Sequence, residues 1–384
     1  MRTIDSIEAD WQALLSQVSA VINLEATAKT SGALVRRRCV GDAATLLRLA
    51  LAYGPGGMSL RSAAAWAGLN DVANLSDVGL LKRLRGAADW LGDLAGALLK
   101  NAAGPGSTST GRRLRIADGS SIGHPGGGGI NWRLHATYEP ALARFTHFEL
   151  GDIHSAEGFS HVPLRSGDIA LGDRAYGRAP ALKKVLDAGA DFVVRVGWST
   201  IRLTSEDGEV LDWNTVFASM QHGDICERKV FVEHAGPKGR GQGKPIFHAR
   251  LVVQRKDATG TEKAEKTARR DHQRRRNQKQ LQPMTITSAG FLLLLTSLSP
   301  EEMDASQIVG TYRLRWQIEV AFKRLKSGLG IHKLPAKDPQ LARSWLMAHL
   351  IMALMIDEAI TDVLDSPPWG AETGCCVSVP VETS

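Results

Sequence analysis

The spacing of apolar residues changes once along this chain, and the change falls at a single link. Up to about residue 105, apolar positions recur at intervals of three and four, as in 43–52 and 78–99, a pattern that predicts packed amphipathic helices. The stretch 104–111 (GPGSTSTG) is made of residues that punctuate helices and marks a boundary. Beyond it the period shortens. Residues 114–117, 132–138, 145–150, 168–172 and 191–196 are short apolar or alternating runs separated by turn residues, which predicts five strands of one sheet. Between the fourth and fifth, 179–188 returns to helical spacing, giving a β-α-β crossover and a mixed sheet.

Farther on, residues 197–290 hold further strands (229–233, 247–254) with Gly-rich turns and behave as a β-rich insertion. A very apolar strand, 291–297, then leads into helices, the first expected to start at Ser299-Pro300-Glu301-Glu302 with a cap, an N1 proline and a capping-box glutamate. Residues 366–384 carry no useful period and are expected to be unpacked. The resulting division is 1–105 (helical, DNA-binding), 106–196 and 291–365 (two parts of one core), 197–290 (insertion) and 366–384 (tail). The fold class is mixed α/β, and 384 residues suffice for two or three domains.

Composition narrows the partners. Lys and Arg outnumber acids 47 to 40, and the net charge of +7 points to an anionic partner. Residues 263–280 hold eight basic residues and two acids, so this one segment carries an excess of six and the rest of the chain is nearly neutral. Arg274, Arg275 and Arg276 lie at its centre. A run of this kind is either a solvated helix face or a surface for nucleic-acid phosphates. The longest apolar run, 345–356, is shorter than the roughly 18 to 20 residues of a membrane span, so the protein is expected to be soluble. An acidic amino terminus unlike a secretory signal places it in the cytoplasm. The four cysteines, Cys39, Cys226, Cys375 and Cys376, form no zinc or disulfide pattern and are expected to be reduced thiols. Within the helical region, Ser59 can cap a short helix ending at Gly68, followed by a second ending in LLKRLRG. This spacing fits a DNA-binding helix-turn-helix and equally any pair of packed helices.

The chemistry-bearing residues come from distant stretches. Asp118 closes the run RLRIAD and Asp173 closes DIALGD, so each carboxylate is expected at the end of a strand, where two hard oxygen ligands can share Mg²⁺. Aspartates also end strands because they make good turns and caps. Residues 307–326 predict a helix with three faces. At about 100° per residue, Tyr312, Arg315, Glu319 and Lys326 fall within a stripe about 60° wide, opposite an apolar stripe of Leu314, Ile318, Ala321 and Leu325. A phenol, a guanidinium, a carboxylate and an ammonium on one stripe can hold a cation and neutralise a phosphodiester; an ordinary solvated i, i+4 pair accounts for Arg315 and Glu319 as well. Asp152, His154 and Glu157 make a further acidic cluster after a strand, read as structural or as supporting the site from behind its ligands.

Tyr312, Arg315, Glu319 and Lys326 reproduce the Y-(2)-R-(3)-E-(6)-K signature, and with IADGSS at Asp118 and LGDRAYG at Asp173 the chain resembles the DDE transposases of the insertion-sequence-4 family. The likeness follows the order of parts over most of residues 30–355, including the 146 positions from Asp173 to Glu319. It implies a ribonuclease-H-like catalytic core in which Asp118, Asp173 and Glu319 bind two Mg²⁺ ions, with Mn²⁺ able to substitute. It also implies that Tyr312, Arg315 and Lys326 contact DNA phosphates near the cleaved end. By the same resemblance an insertion-domain tryptophan, Trp198 or Trp213, stacks on a flipped base. The implied activity is end cleavage and strand transfer on double-stranded DNA, at terminal inverted repeats and then at a target. The implied assembly is a homodimer on DNA at the bacterial nucleoid, with no membrane. The same scaffold could serve a metal-dependent nuclease, or a DNA-binding remnant without activity.

Overall fold

The computed structural model describes residues 4–102, 112–123, 130–142, 144–152, 154–233, 245–274, 281–329 and 338–365. The first part is helical as expected: α1 (Ile4–Val21), α2 (Leu24–Thr30), α3 (Ala43–Tyr53), α4 (Leu60–Leu69), α5 (Asp77–Gly86) and α6 (Ala88–Ala102). Helices α2 to α5 each start at a short polar residue, Asn23, Asp42, Ser59 and Ser76, whose side chain accepts a hydrogen bond from the third residue beyond it. Gly104–Gly111 lies outside the described residues, as do Cys375, Cys376 and the rest of 366–384.

The strands follow as β1 (Leu114–Gly123), β2 (Ile130–Glu139), β3 (Arg144–Asp152), β4 (Ile169–Gly172), α7 (Ala179–Asp187) and β5 (Asp191–Arg195). β1, β2 and β3 pair antiparallel, while β1 with β4 and β4 with β5 pair parallel, α7 making the crossover. The order β3-β2-β1-β4-β5, three antiparallel strands followed by two parallel ones, is the ribonuclease-H-like arrangement.

Residues beyond 197 add β6 (Arg202–Thr204), α8 (Trp213–Ala218), β7 (Ile225–Glu233), β8 (Pro245–Arg255), α9 (Ala258–Arg274) and α10 (Pro283–Ala289) before β9 (Phe291–Thr296). Their strands continue the same sheet. β9 pairs antiparallel with β5 on one side and β8 on the other, so the nine-stranded order is β3-β2-β1-β4-β5-β9-β8-β7-β6. The basic segment folds as the second half of α9, a helix with no buried residue, and Arg275 and Arg276 lie outside the described residues.

The carboxy-terminal helices are α11 (Ala305–Arg313), α12 (Trp316–Leu329) and α13 (Pro339–Asp365). Two expectations are corrected here. Ser299-Pro300 opens a turn and no helix; α11 starts at Ala305, where Asp304 and Gln307 form the capping box. The single helix expected over 307–326 is two helices, because Leu314 and Arg315 form a turn with i→i+3 hydrogen bonds to Thr311 and Tyr312. α13 inserts its apolar run among α3, α5 and α6, burying Trp345, Leu346, Leu350 and Ile351, and Ser344 Oγ donates to the Leu84 carbonyl at 2.5 Å. One hydrophobic core thus runs from the amino-terminal helices through α13, α11 and α12 to one sheet face, with Leu114, Ile116, Ile169 and Leu171 on it. A second core covers the other face. No helix among the described residues is long and apolar enough to cross a membrane.

Candidate active site

The sheet register brings the two aspartates together. Leu114, Arg115 and Ile116 pair in parallel with Ile169, Ala170 and Leu171, and two residues farther on each chain stand Asp118 and Asp173. Asp118 does not end its strand, as the sequence suggested. β1 runs on to Gly123, and what ends at this level is β4, leaving β1 without a neighbour on that side. Strand alternation puts Asp118 on the face of Ile116, toward α12, and Gly119 on the opposite face. The Asp118 carboxylate accepts the Gly119 N–H at 2.8 Å, and the Asp173 carboxylate accepts the Ala175 N–H at 2.8 Å. Burial pushes the Asp118 pKa up to about 6. The charges of Asp173 and Glu157 push it the same way, while the Gly119 hydrogen bond and Arg315 oppose the shift.

Helix α12 docks on the sheet face that carries β1, with Ile318 fully buried and the Phe322 ring 5.3 Å from that of Phe145 on β3. Of the signature residues, Arg315 comes close enough for its charge to act on Asp118, and Tyr312 is close enough to feel Asp173. Tyr312 is buried, which raises its phenol's pKa, and the Arg315 guanidinium lies 5.8 Å from its ring centre. Arg315 is close enough to act on Asp118, yet its hydrogen bond goes to Glu319, which is otherwise half exposed. Glu319 is on the helix that packs on β1 and is held by Arg315. Lys326 belongs to α12 by position. The donor set suits a hard divalent cation, since every candidate ligand is a carboxylate and Asp118 is raised by burial, with the like charges of Asp173 and Glu157 adding to the shift. As they stand, no three acidic, histidine or cysteine side chains among the described residues close into a cage.

Glu157 is the residue that sequence reading set aside and the fold brings to the site. It belongs to the segment that leaves β3 and must cross β2 and β1 to reach β4. A Cβ on Gly119 would stand 2.8 Å from Glu157 Cγ and 2.9 Å from its Oε1. The other two members of that cluster are structural: the Asp152 carboxylate accepts the His154 and Ser155 N–H groups, both at 2.9 Å. Glycine at 119 within the IADGSS motif was the available signal.

Beside Asp173 a cleft of about 710 Å³ opens between the end of β5 and helices α9 and α10. Arg174, Arg195, Lys256 and Lys263 line it, with Trp198 on its wall and Asp271 among its lining residues. Burial and the charges of Arg195 and Arg174 lower the Lys256 pKa, the mark of cations gathered without enough anion. Trp213, half-buried, packs on Phe217 at 5.6 Å between centroids against the second core, and Arg274 stands exposed on the last turn of α9.

Comparison with known proteins agrees with this geometry. Residues 109–356 match the family described as "Transposase DDE domain". The chain is 44% identical over 365 residues to the putative transposase InsL for insertion sequence element IS186A of Escherichia coli (strain K12), covering 94% of this chain and 97% of that protein. It is 44% identical over 366 residues, with the same coverage, to the transposase for insertion sequence element IS421 of Escherichia coli. Among solved structures it is similar to the piggyBac transposase synaptic complex with hairpin DNA, at TM-score 0.43 and 10% identity over 91% of this chain and 73% of that one, a likeness too distant to weigh. Family membership brings divalent-metal chemistry and an enzyme that cuts and joins DNA; the chain belongs to the DDE transposases, as an insertion-sequence transposase of the insertion-sequence-4 family.

Proposed function

We propose that this transposase recognises the terminal inverted repeats of its element as a homodimer on DNA, cuts at their ends and joins them to a target, working on chromosomal DNA at the nucleoid. The observation that supports this reading best is the register of β1 and β4, which aligns Asp118 with Asp173 under the Tyr312-Arg315-Glu319 face of α11 and α12. Asp118, Asp173 and Glu319 would hold two Mg²⁺ ions, or Mn²⁺ in their place. Bound there, the metal supplies activation of the attacking hydroxyl and stabilisation of the leaving oxygen.

The chain's own groups do the rest. Arg315 and Lys326 neutralise phosphates beside the scissile bond, Tyr312 donates a hydrogen bond to one, and together they hold the strand in line. The Arg174-Arg195-Lys256 cleft takes the backbone of the strand end, and Trp198 on its wall offers a stacking plane to an unpaired base. Arg274, with Arg275 and Arg276, extends the basic surface along the DNA. Tyr312, buried and with a raised pKa, acts as a neutral hydrogen-bonding phenol and not as a nucleophile.

Incubation of purified protein with a duplex bearing the element's end tests this reading. Mg²⁺-dependent nicking at one defined phosphate followed by joined products is expected, and Asp118→Asn and Asp173→Asn each abolish both. Cutting without joining would instead mark a nuclease, and binding without cutting a remnant.

A further inference from the structure

Three strands and one loop put a fourth acid at the site. The chain leaving β3 must cross the sheet face opposite α12 to reach β4, and that face is polar where it crosses. Ser155 Oγ lies 2.8 Å from His135 Nε2 and 3.3 Å from His161 Nε2, and His161 Nδ1 lies 2.8 Å from Glu149 Oε1. The His135 and His161 rings stack at 3.8 Å, and Arg133 Nη1 donates to the Ser155 carbonyl at 3.0 Å. Gly151 leaves room for Ser155 to lie against the sheet. Every one of these contacts fixes the residues on either side of Glu157.

Glu157 itself is differently placed. It lies over Gly119, on the face of β1 opposite the Asp118 side chain and at the edge that β4 leaves open, its side chain 26% exposed and close enough for its charge to act on Asp118 and Asp173. Its nearest cation, Arg133 Nε, stands 3.9 Å from Oε1, an ion pair too long for a hydrogen bond. A largely buried carboxylate with one loose ion pair to Arg133, a more distant cation in Arg178 and two neighbouring acids is a charge the protein satisfies only in part. Glu319, by contrast, has its carboxylate hydrogen-bonded by Arg315.

We propose that Glu157 is a positioning residue of the transposase site: without DNA, it and not Glu319 supplies the third negative charge that draws a divalent cation to Asp118 and Asp173. The inference rests on the reading of Asp118 and Asp173 as the cation-holding pair. Glu157 acts through charge, since no three acids close into a cage as they stand. A DNA phosphate that takes Arg315 then frees Glu319 to join the aspartates.

Calorimetric titration of Mn²⁺ into the full-length, DNA-free protein tests this. Glu157→Gln, which keeps shape and loses charge, is expected to weaken Mn²⁺ binding about tenfold, while Glu319→Gln stays within about twofold of wild type. Glu157→Asp restores part of the loss. Gly119→Ala, whose added methyl meets the Glu157 side chain, reproduces it by displacement. The unfolding midpoint of cation-free Glu157→Gln should equal or exceed that of wild type, whereas a merely structural role would lower the midpoint and leave Mn²⁺ affinity alone. Unchanged affinity in Glu157→Gln, with Asp118→Asn weakened, overturns the role of Glu157 and leaves the site reading standing. Unchanged affinity in Asp118→Asn overturns both.

Discussion

A carboxylate buried beside two others is costly to charge, and Asp118 carries that cost in the cation-free protein. Its pKa lies at about 6 against an ordinary 3.8, so the folded state holds the proton more tightly than the unfolded chain does. The sign follows: the ionised group destabilises the fold above pH 6, and the penalty fades as pH falls through 6 toward 3.8. Asp118→Asn, uncharged throughout, should therefore stabilise the chelated protein by on the order of 2 kcal/mol at pH 7 and by roughly a third of that at pH 4.5. Denaturant unfolding in chelator at both pH values measures it; an equal change at the two would contradict the burial argument. The same substitution that abolishes cutting should make the fold stronger, the usual relation between a site and its scaffold.

At the level of elements, the region 297–329 shows how tertiary contacts override a local signal. The capping-box hydrogen bonds expected at Ser299 do form, Glu302 N–H to Ser299 Oγ and Ser299 N–H to Glu302 Oε2, each at 3.3 Å. No helix grows from them. Arg250, buried under the turn, takes the carbonyls of Leu298 at 2.8 Å and Met303 at 2.9 Å, and Arg112 takes Glu302 at 2.9 Å. These contacts fix the backbone as a turn, and the helix starts one cap later at Asp304. Asp304→Ala should accordingly cost about 1 kcal/mol and Ser299→Ala only a few tenths, read from chevron or equilibrium unfolding. At the break, Arg315 lies beside the Tyr312 ring and hydrogen-bonds to Glu319, so the two helices keep the three side chains together.

For the whole molecule, the decisive feature is that the amino-terminal helices share a core with α13, nearly 250 residues later in the chain. Trp345, Leu346, Leu350 and Ile351 are buried among them, and Arg343 pairs with Asp89 at 3.1 Å. A fragment of residues 1–105 lacks that helix and should show no cooperative thermal transition by circular dichroism; a sharp one would mean that the bundle stands alone. The insertion strands are joined to the rest in the same way, through β9 between β5 and β8.

What the amino-acid order determined was whatever depends on near neighbours. The helix caps at Ser59 and Ser76, the β-α-β crossover through 179–187 and the Tyr312-Arg315-Glu319 spacing are set within a few residues by period and capping chemistry. What only the tertiary structure decided was which groups face each other. Strand pairing between residues some fifty apart aligned Asp118 with Asp173, and a crossing segment laid Glu157 over Gly119. The Arg315 side chain, free in principle to reach either acid, went to Glu319. Local free energies are additive along the chain and can be read there; the meeting of distant charges depends on burial and register, which no single stretch of sequence contains.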